Sequence, residues 1–318
     1  MLTNALHTFL FAFHITAPIF VMLFLGLWLK RRNMINDGFI KTSSQLVYNL
    51  GLPVMLFITC ATADTAHATD WNLLIAFAAM TGLVFLGSLL TAHWHCRDKR
   101  DEGVFVQGAF RGNLVILGLA FCANAYGEKG LALASLPVAM TVIVYNVLSV
   151  YVLNRSLNES DSSLKPTLIG IAKNPLIIAI ALGFAVNASQ VGLPDVLLAS
   201  GNYLSQMVLP LALICIGGSL GATKLTQLDS ITLSACIWKL VLSPAICCAI
   251  AIMLGLRGES LAILFLLAAS PSATISFVMV QAMNGNAPLA ARIVAHTTMW
   301  SLLTVTVGLW LLELMHLI

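Results

Sequence analysis

Charge is what this sequence has least of: Asp, Glu, Lys and Arg together make up 9% of its 318 residues, against about 25% in ordinary soluble domains. With 59% of residues apolar and a mean hydropathy of +0.94, a water-soluble fold is excluded and the lipid bilayer becomes the main solvent and partner. The net charge of +3 is too small and too scattered to form a phosphate-binding face, which excludes nucleic-acid binding. Disulfide and zinc spacings are missing as well. Six of the seven cysteines sit inside apolar runs, where free Cys packs as a small hydrophobe, and Cys96 lies in a basic loop. No metal and no cofactor are expected. The H-E-x-x-H pattern of metalloproteases is absent, no acids pair within the membrane, and Ser219 has no base placed by sequence, so an enzyme is not expected.

Acid within the membrane is the absence that says most. All thirteen Asp and Glu fall in loops or near span ends. Carriers of sodium or protons hold their cation with buried carboxylates, whereas a carrier of anions needs only cations, amide donors and helix N-termini. The expected substrate is therefore a small organic anion.

A helix needs about 20 apolar residues to cross a bilayer, and polar punctuation divides the chain into ten such runs, near 6–29, 45–63, 71–94, 104–126, 130–153, 168–187, 200–221, 231–254, 260–282 and 289–313. No basic residue precedes the first run, and Lys30-Arg31-Arg32 follows it, the reverse of a cleaved signal peptide. Sorting Lys and Arg by alternate loops puts Lys30, Arg31, Arg32, Lys41, Arg97, Lys99, Arg100, Arg155, Lys165, Lys173, Lys224 and Arg292 in one set, and only Lys129 and Arg257 in the other. By the positive-inside rule the first set is cytoplasmic, and both termini lie outside, periplasmic in a bacterial inner membrane. Trp28, Trp71, Trp94 and Trp310 fall at span ends, as an interfacial belt requires.

The chain repeats itself. Ala17-Pro18-Ile19 and Leu25-Gly26 return as Asn174-Pro175-Leu176 and Leu182-Gly183, and Leu52-Pro53-Val54 returns as Leu209-Pro210-Leu211, each 157 positions later. Gly127 and Leu131 match Gly285 and Leu289 at 158. Because each half holds five spans, an odd number, the second enters the membrane inverted. The expected fold is all-α and integral to the membrane, with ten transmembrane helices in two inverted five-helix repeats: 1–154, a cytoplasmic linker 155–167, and 168–318. Inverted repeats give inward-open and outward-open states of similar energy around a midplane site, the design of secondary transporters, with a channel or uniporter for small solutes on the same fold as the alternative.

Sites in such folds form where helices break, since unwound backbone offers free N–H and C=O groups. Span 4 carries Arg111-Gly112-Asn113, and its repeat mate, span 9, carries Ser270-Pro271-Ser272-Ala273-Thr274. Gly112 frees the backbone, Pro271 removes a donor, and Asn113, Ser270 and Ser272 can satisfy released groups. Two broken helices crossing each other are expected, with a plain proline kink as the alternative.

Phe110-Arg111-Gly112-Asn113-Leu114 with Gly118, Asn49 through Leu52-Pro53, Asn174-Pro175, and Lys239-Leu240 followed by Pro244 together resemble the auxin efflux carrier family. Its members include plant auxin carriers and bacterial permeases for malonate or other carboxylates. The compact loop between spans 5 and 6 resembles the bacterial branch. The resemblance implies a scaffold of spans 1, 2, 6 and 7 that forms a homodimer, and a transport domain of spans 3–5 and 8–10 that moves as an elevator. It also implies crossover helices broken at Asn113 and Pro271, although Gly112 stands where plant members have a first Pro. Thr141 stands where they have a substrate-facing glutamine, so an indole acid is not carried over as substrate.

Two cations lie inside spans, where ionisable groups are costly and functional by default. Arg111, seven residues and about 10 Å into span 4, either clamps a carboxylate or bonds carbonyls of the broken helix. Lys239 in span 8 suits gating or charge compensation. His7 with His14, and Arg292 with His296 at i, i+4, are candidates for proton coupling or for packing. Asn146 in span 5 either lines the pocket or bonds a neighbouring helix. His93-Trp94-His95-Cys96 is an interfacial anchor rather than a metal cluster, since residues two apart point to different helix faces. Gly217-Gly218-Ser219-Leu220-Gly221 suits a close helix seam in the scaffold or the dimer.

Overall fold

The computed structural model describes residues 2–62, 71–157, 175–190, 192–220 and 228–318. The end of the linker, Asn174, Gly221 and the loop cations Lys165, Lys173 and Lys224 lie outside the described residues, as does the side chain of His14. The helices are α1 (Leu2–Arg31), α2 (Asp37–Ala61), α3 (Trp71–His95), α4 (Lys99–Phe110), α5 (Leu114–Leu157), α6 (Pro175–Ser189), α7 (Asp195–Leu220), α8 (Ser230–Met253), α9 (Gly258–Ala269), α10 (Thr274–Ala282) and α11 (Ala287–Leu314). Among the described residues there is no strand beyond one isolated bridge. Among the described residues six helices, α2, α3, α5, α7, α8 and α11, are long and apolar enough to cross a bilayer. The protein is an integral membrane protein.

Expected spans 4 and 9 each appear as two pieces, α4 with the start of α5 and α9 with α10. The fifth continues α5 past a bend at Gly127, whose φ of 57° and ψ of −140° only glycine adopts readily. Single π-helical turns interrupt α2 at Val47–Gly51 and α8 at Trp238–Leu242, and another opens α5 at Leu114–Gly118.

Lipid tails are as apolar as leucine, so helices in a membrane are held by close packing and polar contacts rather than by hydrophobic burial. Backbone meets backbone at the crossing of α1 and α7. A Cβ on Gly26 would collide with the carbonyl of Ile214, and one on Gly217 with that of Leu23, while Gly218 receives the Ile40 side chain. The glycine run of span 7 is thus used within the chain. At the crossing of α2 and α6, a Cβ on Gly183 would come within 2.7 Å of the Phe57 carbonyl. Gly183 follows Gly26, and Ile214 follows Phe57, by the same 157 positions. The centre of the molecule is built on α4 and α9, in which every residue of Gly103–Phe110 and of Leu261–Ala269 is buried. Phe110 is wedged edge-on between Phe85 and Tyr145, with ring centroids 5.4 Å from each.

Candidate functional site: a crossing of two helix breaks

Helix α4 ends at Phe110 and α9 at Ala269, and the residues that follow are extended, Arg111 at φ −81°, ψ 98° and Ser270 at φ −57°, ψ 137°. The two extended stretches run antiparallel and pair. The Asn113 N–H donates to the Pro271 carbonyl at 2.6 Å and the Ala273 N–H to the Arg111 carbonyl at 2.9 Å, with Gly112 opposite Ser272. Each break therefore satisfies main-chain groups that the other leaves free, which lets irregular backbone persist away from water. Side chains complete the pattern. Ser272 Oγ donates to the Gly108 carbonyl at 2.6 Å, Ser270 Oγ to the Leu267 carbonyl at 2.7 Å, and the Ser272 N–H donates to Thr297 Oγ1 at 3.2 Å. Asn113 Nδ2 reaches Thr274 Oγ1 at 3.5 Å.

Both intramembrane cations belong to this crossing. Lys239 is fully buried and its Nζ donates to the Ala268 carbonyl at 3.0 Å, placing positive charge on the C-terminal, partially negative end of α9. Gly112 has no positive φ; it is glycine for space, since a Cβ there would lie 2.7 Å from Ser270 Oγ and 3.0 Å from Lys239 Nζ. Arg111 is buried and turns toward α5, where its guanidinium donates to Asn146 Oδ1 at 2.7 Å, Ser149 Oγ at 2.8 Å and the Tyr145 carbonyl at 3.2 Å. Of the two alternatives for Asn146, the one found is the helix–helix bond, made through Arg111.

A cavity of about 970 Å³ opens between α1, α2 and α7 on one side and α5 on the other. Its polar lining comes from Thr59, Thr62, Asn124, Glu128, Lys129, Asn202, Ser205 and Gln206, and its apolar lining includes Met22, Met55 and Leu209. Lys129 at the rim pairs with Glu259 at 2.5 Å.

At the opposite end of α8, Asp229 caps the helix, accepting from the Thr232 N–H at 2.7 Å and from Arg292 Nη2 at 2.8 Å. Partial burial raises the Asp229 carboxyl, but its hydrogen bonds from Thr232 and the nearby Arg292 guanidinium outweigh that and hold it below the usual carboxylate range.

The model of a family described as "Membrane transport protein" matches residues 11–309. The chain belongs to it. This is the auxin efflux carrier family whose motifs the sequence carries. An uncharacterized transporter of Methanocaldococcus jannaschii is 23% identical over 305 residues, covering 92% of this chain and 96% of its own. One of Methanothermobacter thermautotrophicus is 25% identical over 298 residues, covering 92% and 95%. The uncharacterized transporter YfdV of Escherichia coli is 25% identical over 308 residues, covering 92% and 95%. The chain is a membrane transporter of this family.

In this family member the expected site residues form two groups. Arg111, Gly112, Asn113, Ser270, Pro271, Ser272 and Lys239 meet at the crossing, and Asn146 joins through Arg111. Thr141 is buried on α5, and neither it nor the crossing residues are among the described residues that line the 970 Å³ cavity. Arg292 and His296 stand apart beside α8 and are joined through backbone, His296 Nδ1 lying 2.8 Å from the Arg292 carbonyl. His95 Nε2 lies 3.2 Å from the Ser230 carbonyl, and the described residues contain no cluster able to hold a metal. The cavity residues Asn124, Asn202, Ser205 and Gln206 went unremarked in the sequence. The available signal was an amide pair at i, i+4 within an apolar span.

Proposed function

We propose that this protein is a secondary carrier that moves a small organic anion, a carboxylate, through alternating access by an elevator-like motion. The observation that carries this proposal is the antiparallel pairing of the two helix breaks, through Asn113 N–H to Pro271 O and Ala273 N–H to Arg111 O. Such pairing brings two helix N-termini, whose partial positive charge suits an anion, beside two C-termini, of which that of α9 is met by Lys239. The ten-span inverted repeat is supported by the matched contacts of Gly26 with Ile214 and Gly183 with Phe57. In this scheme α1, α2, α6 and α7 are the dimerising scaffold and the crossing travels with α3–α5 and α8–α11. The crossing residues Arg111, Gly112, Asn113, Ser270, Pro271 and Ser272, with Thr141 and Asn146 on α5, make up or brace the substrate site. Lys239 compensates the end of α9. His14, Arg292 and His296 serve gating or proton coupling. The membrane is the bacterial inner membrane with both termini periplasmic.

Reconstitution tests this. Folded Asn113→Ala and Pro271→Ala variants in proteoliposomes should lose carboxylate flux, and unchanged flux in both would remove the crossing from the mechanism. Saturable flux that rises with substrate on the far side marks a carrier; flux that never saturates marks a channel on the same fold. Thermal stabilisation by amines and by no carboxylate would overturn the choice of an anion.

A further inference from the structure

Asn202 and Gln206 lie one turn apart on α7, about 10 and 16 Å along a helix that begins at Asp195. Both side chains are exposed and both line the 970 Å³ cavity. Amides exposed within a membrane span are out of place against lipid, where a polar group without a partner is costly, and in place against a water-filled path. The same two positions of the first repeat, 157 residues earlier, hold Gln45 and Asn49 on α2. Those two are exposed as well, and in each repeat the pair is followed three residues on by Leu-Pro, Leu52-Pro53 and Leu209-Pro210. Among the described residues none of the four side-chain amides has a hydrogen-bond partner. Asn146 and Asn187, by contrast, are engaged, with Arg111 and with the Ala61 carbonyl.

We infer that these two amide pairs are the outer and inner docking subsites for the anionic group of the substrate, one on each face of an immobile scaffold. The inference rests on the carrier and inverted-repeat proposal above. Because the second half enters the membrane inverted, equal positions in the two repeats fall at opposite ends of the path. An amide N–H donates to a carboxylate without contributing charge, so each pair recognises the anion and releases it as the transport domain moves past. The cavity is open onto Asn202 and Gln206; Gln45 and Asn49 are not among its lining residues, as expected of a form open to one side only.

Single-cysteine variants test the placement without any substrate. Asn202→Cys, Gln206→Cys, Gln45→Cys and Asn49→Cys are made in the full chain, whose native cysteines are buried except for half-buried Cys248, and treated with a membrane-impermeant maleimide from each face of reconstituted vesicles. The α7 pair should react from the outer face and the α2 pair from the cytoplasmic face, with the unmodified chain as blank. All four reacting from one face, or the α2 pair from neither, overturns the proposal. Flux of malonate and of benzoate supplies the second arm. The double variant Asn202→Leu with Gln206→Leu should raise the half-saturation concentration for uptake from the outer face roughly tenfold, about one charged hydrogen bond, and leave the cytoplasmic face within about twofold. Gln45→Leu with Asn49→Leu should do the reverse. Unchanged values, or equal changes on both faces, overturn the subsites. If the unmodified chain carries neither anion, the carboxylate proposal fails, and the labelling pattern still decides where the pairs lie.

Discussion

Replacing Gly112 by alanine isolates the packing of the crossing from its backbone conformation. The backbone there is not left-handed, so alanine is not strained by φ; it is short of room. The new Cβ would lie 2.7 Å from Ser270 Oγ, 3.0 Å from Lys239 Nζ and 3.3 Å from Lys239 Cε. Neither polar neighbour is free to leave, since Ser270 Oγ is bonded to the Leu267 carbonyl at 2.7 Å and Lys239 Nζ to the Ala268 carbonyl at 3.0 Å. If Ser270 rotates away, a buried hydrogen bond worth about 1 kcal/mol net is lost. If the two extended stretches part instead, the Asn113–Pro271 and Arg111–Ala273 bonds lengthen. Overpacking of this kind costs about 1–3 kcal/mol. Gly112→Ala should therefore lower stability by about 2 kcal/mol and Ser270→Ala by about 1 kcal/mol. Together they should cost less than their sum by about 1 kcal/mol, because Ser270→Ala removes the closest clash. Thermal unfolding of the purified protein in detergent measures all three. A Gly112→Ala protein that melts with the unmodified chain, or a double variant whose losses simply add, would refute the claim that Gly112 is there for space.

Further outcomes follow from other parts of the fold. Gly127→Ala should destabilise by about 1–3 kcal/mol, since only glycine is at ease at φ 57°, ψ −140°; a melting temperature equal to that of the unmodified chain would contradict this. Arg111→Lys should lower stability by about 1.5–3 kcal/mol, because an ammonium lacks the planar fork that spans Asn146 and Ser149, and an unchanged melting curve would show the fork to be dispensable. Asp229→Ala should cost about 1 kcal/mol as a lost helix cap. Because the Asp229 carboxyl is held low in the folded protein, the stability it contributes is complete above the ordinary carboxylate range and is lost as pH falls through the folded value. Melting curves of Asp229→Ala and the unmodified chain should hence differ at neutral pH and converge in acid. A gap that widens in acid would reverse the assigned sign.

Much of this was legible in the chain itself. Arg111-Gly112-Asn113 and Ser270-Pro271-Ser272 announced helix breaks because each sets a helix-breaking residue among side chains able to satisfy freed backbone. The scarcity of charge made Arg111 and Lys239 conspicuous. What could not be read was which face each group takes. Arg111 was open between clamping substrate and bracing the fold, and only the position of α5 brings Asn146 and Ser149 to it. The purpose of Gly112 depends on Lys239, a residue 127 positions away. The cavity lining was hidden for a different reason. Asn202 and Gln206 sit in a run apolar enough to pass as a lipid-facing span, and hydropathy averages over the faces that distinguish a wall from a lipid contact.

The crossing also constrains how the protein is made. Asn113 bonds Pro271, 158 residues further along the chain, which at about 5–20 residues per second takes the ribosome roughly 10–30 s to supply. Throughout that interval the first break lies in or near the membrane with the Asn113 N–H and the Arg111 carbonyl unanswered by their eventual partners. The first half therefore cannot complete its own main-chain pairing at the break until the second half arrives.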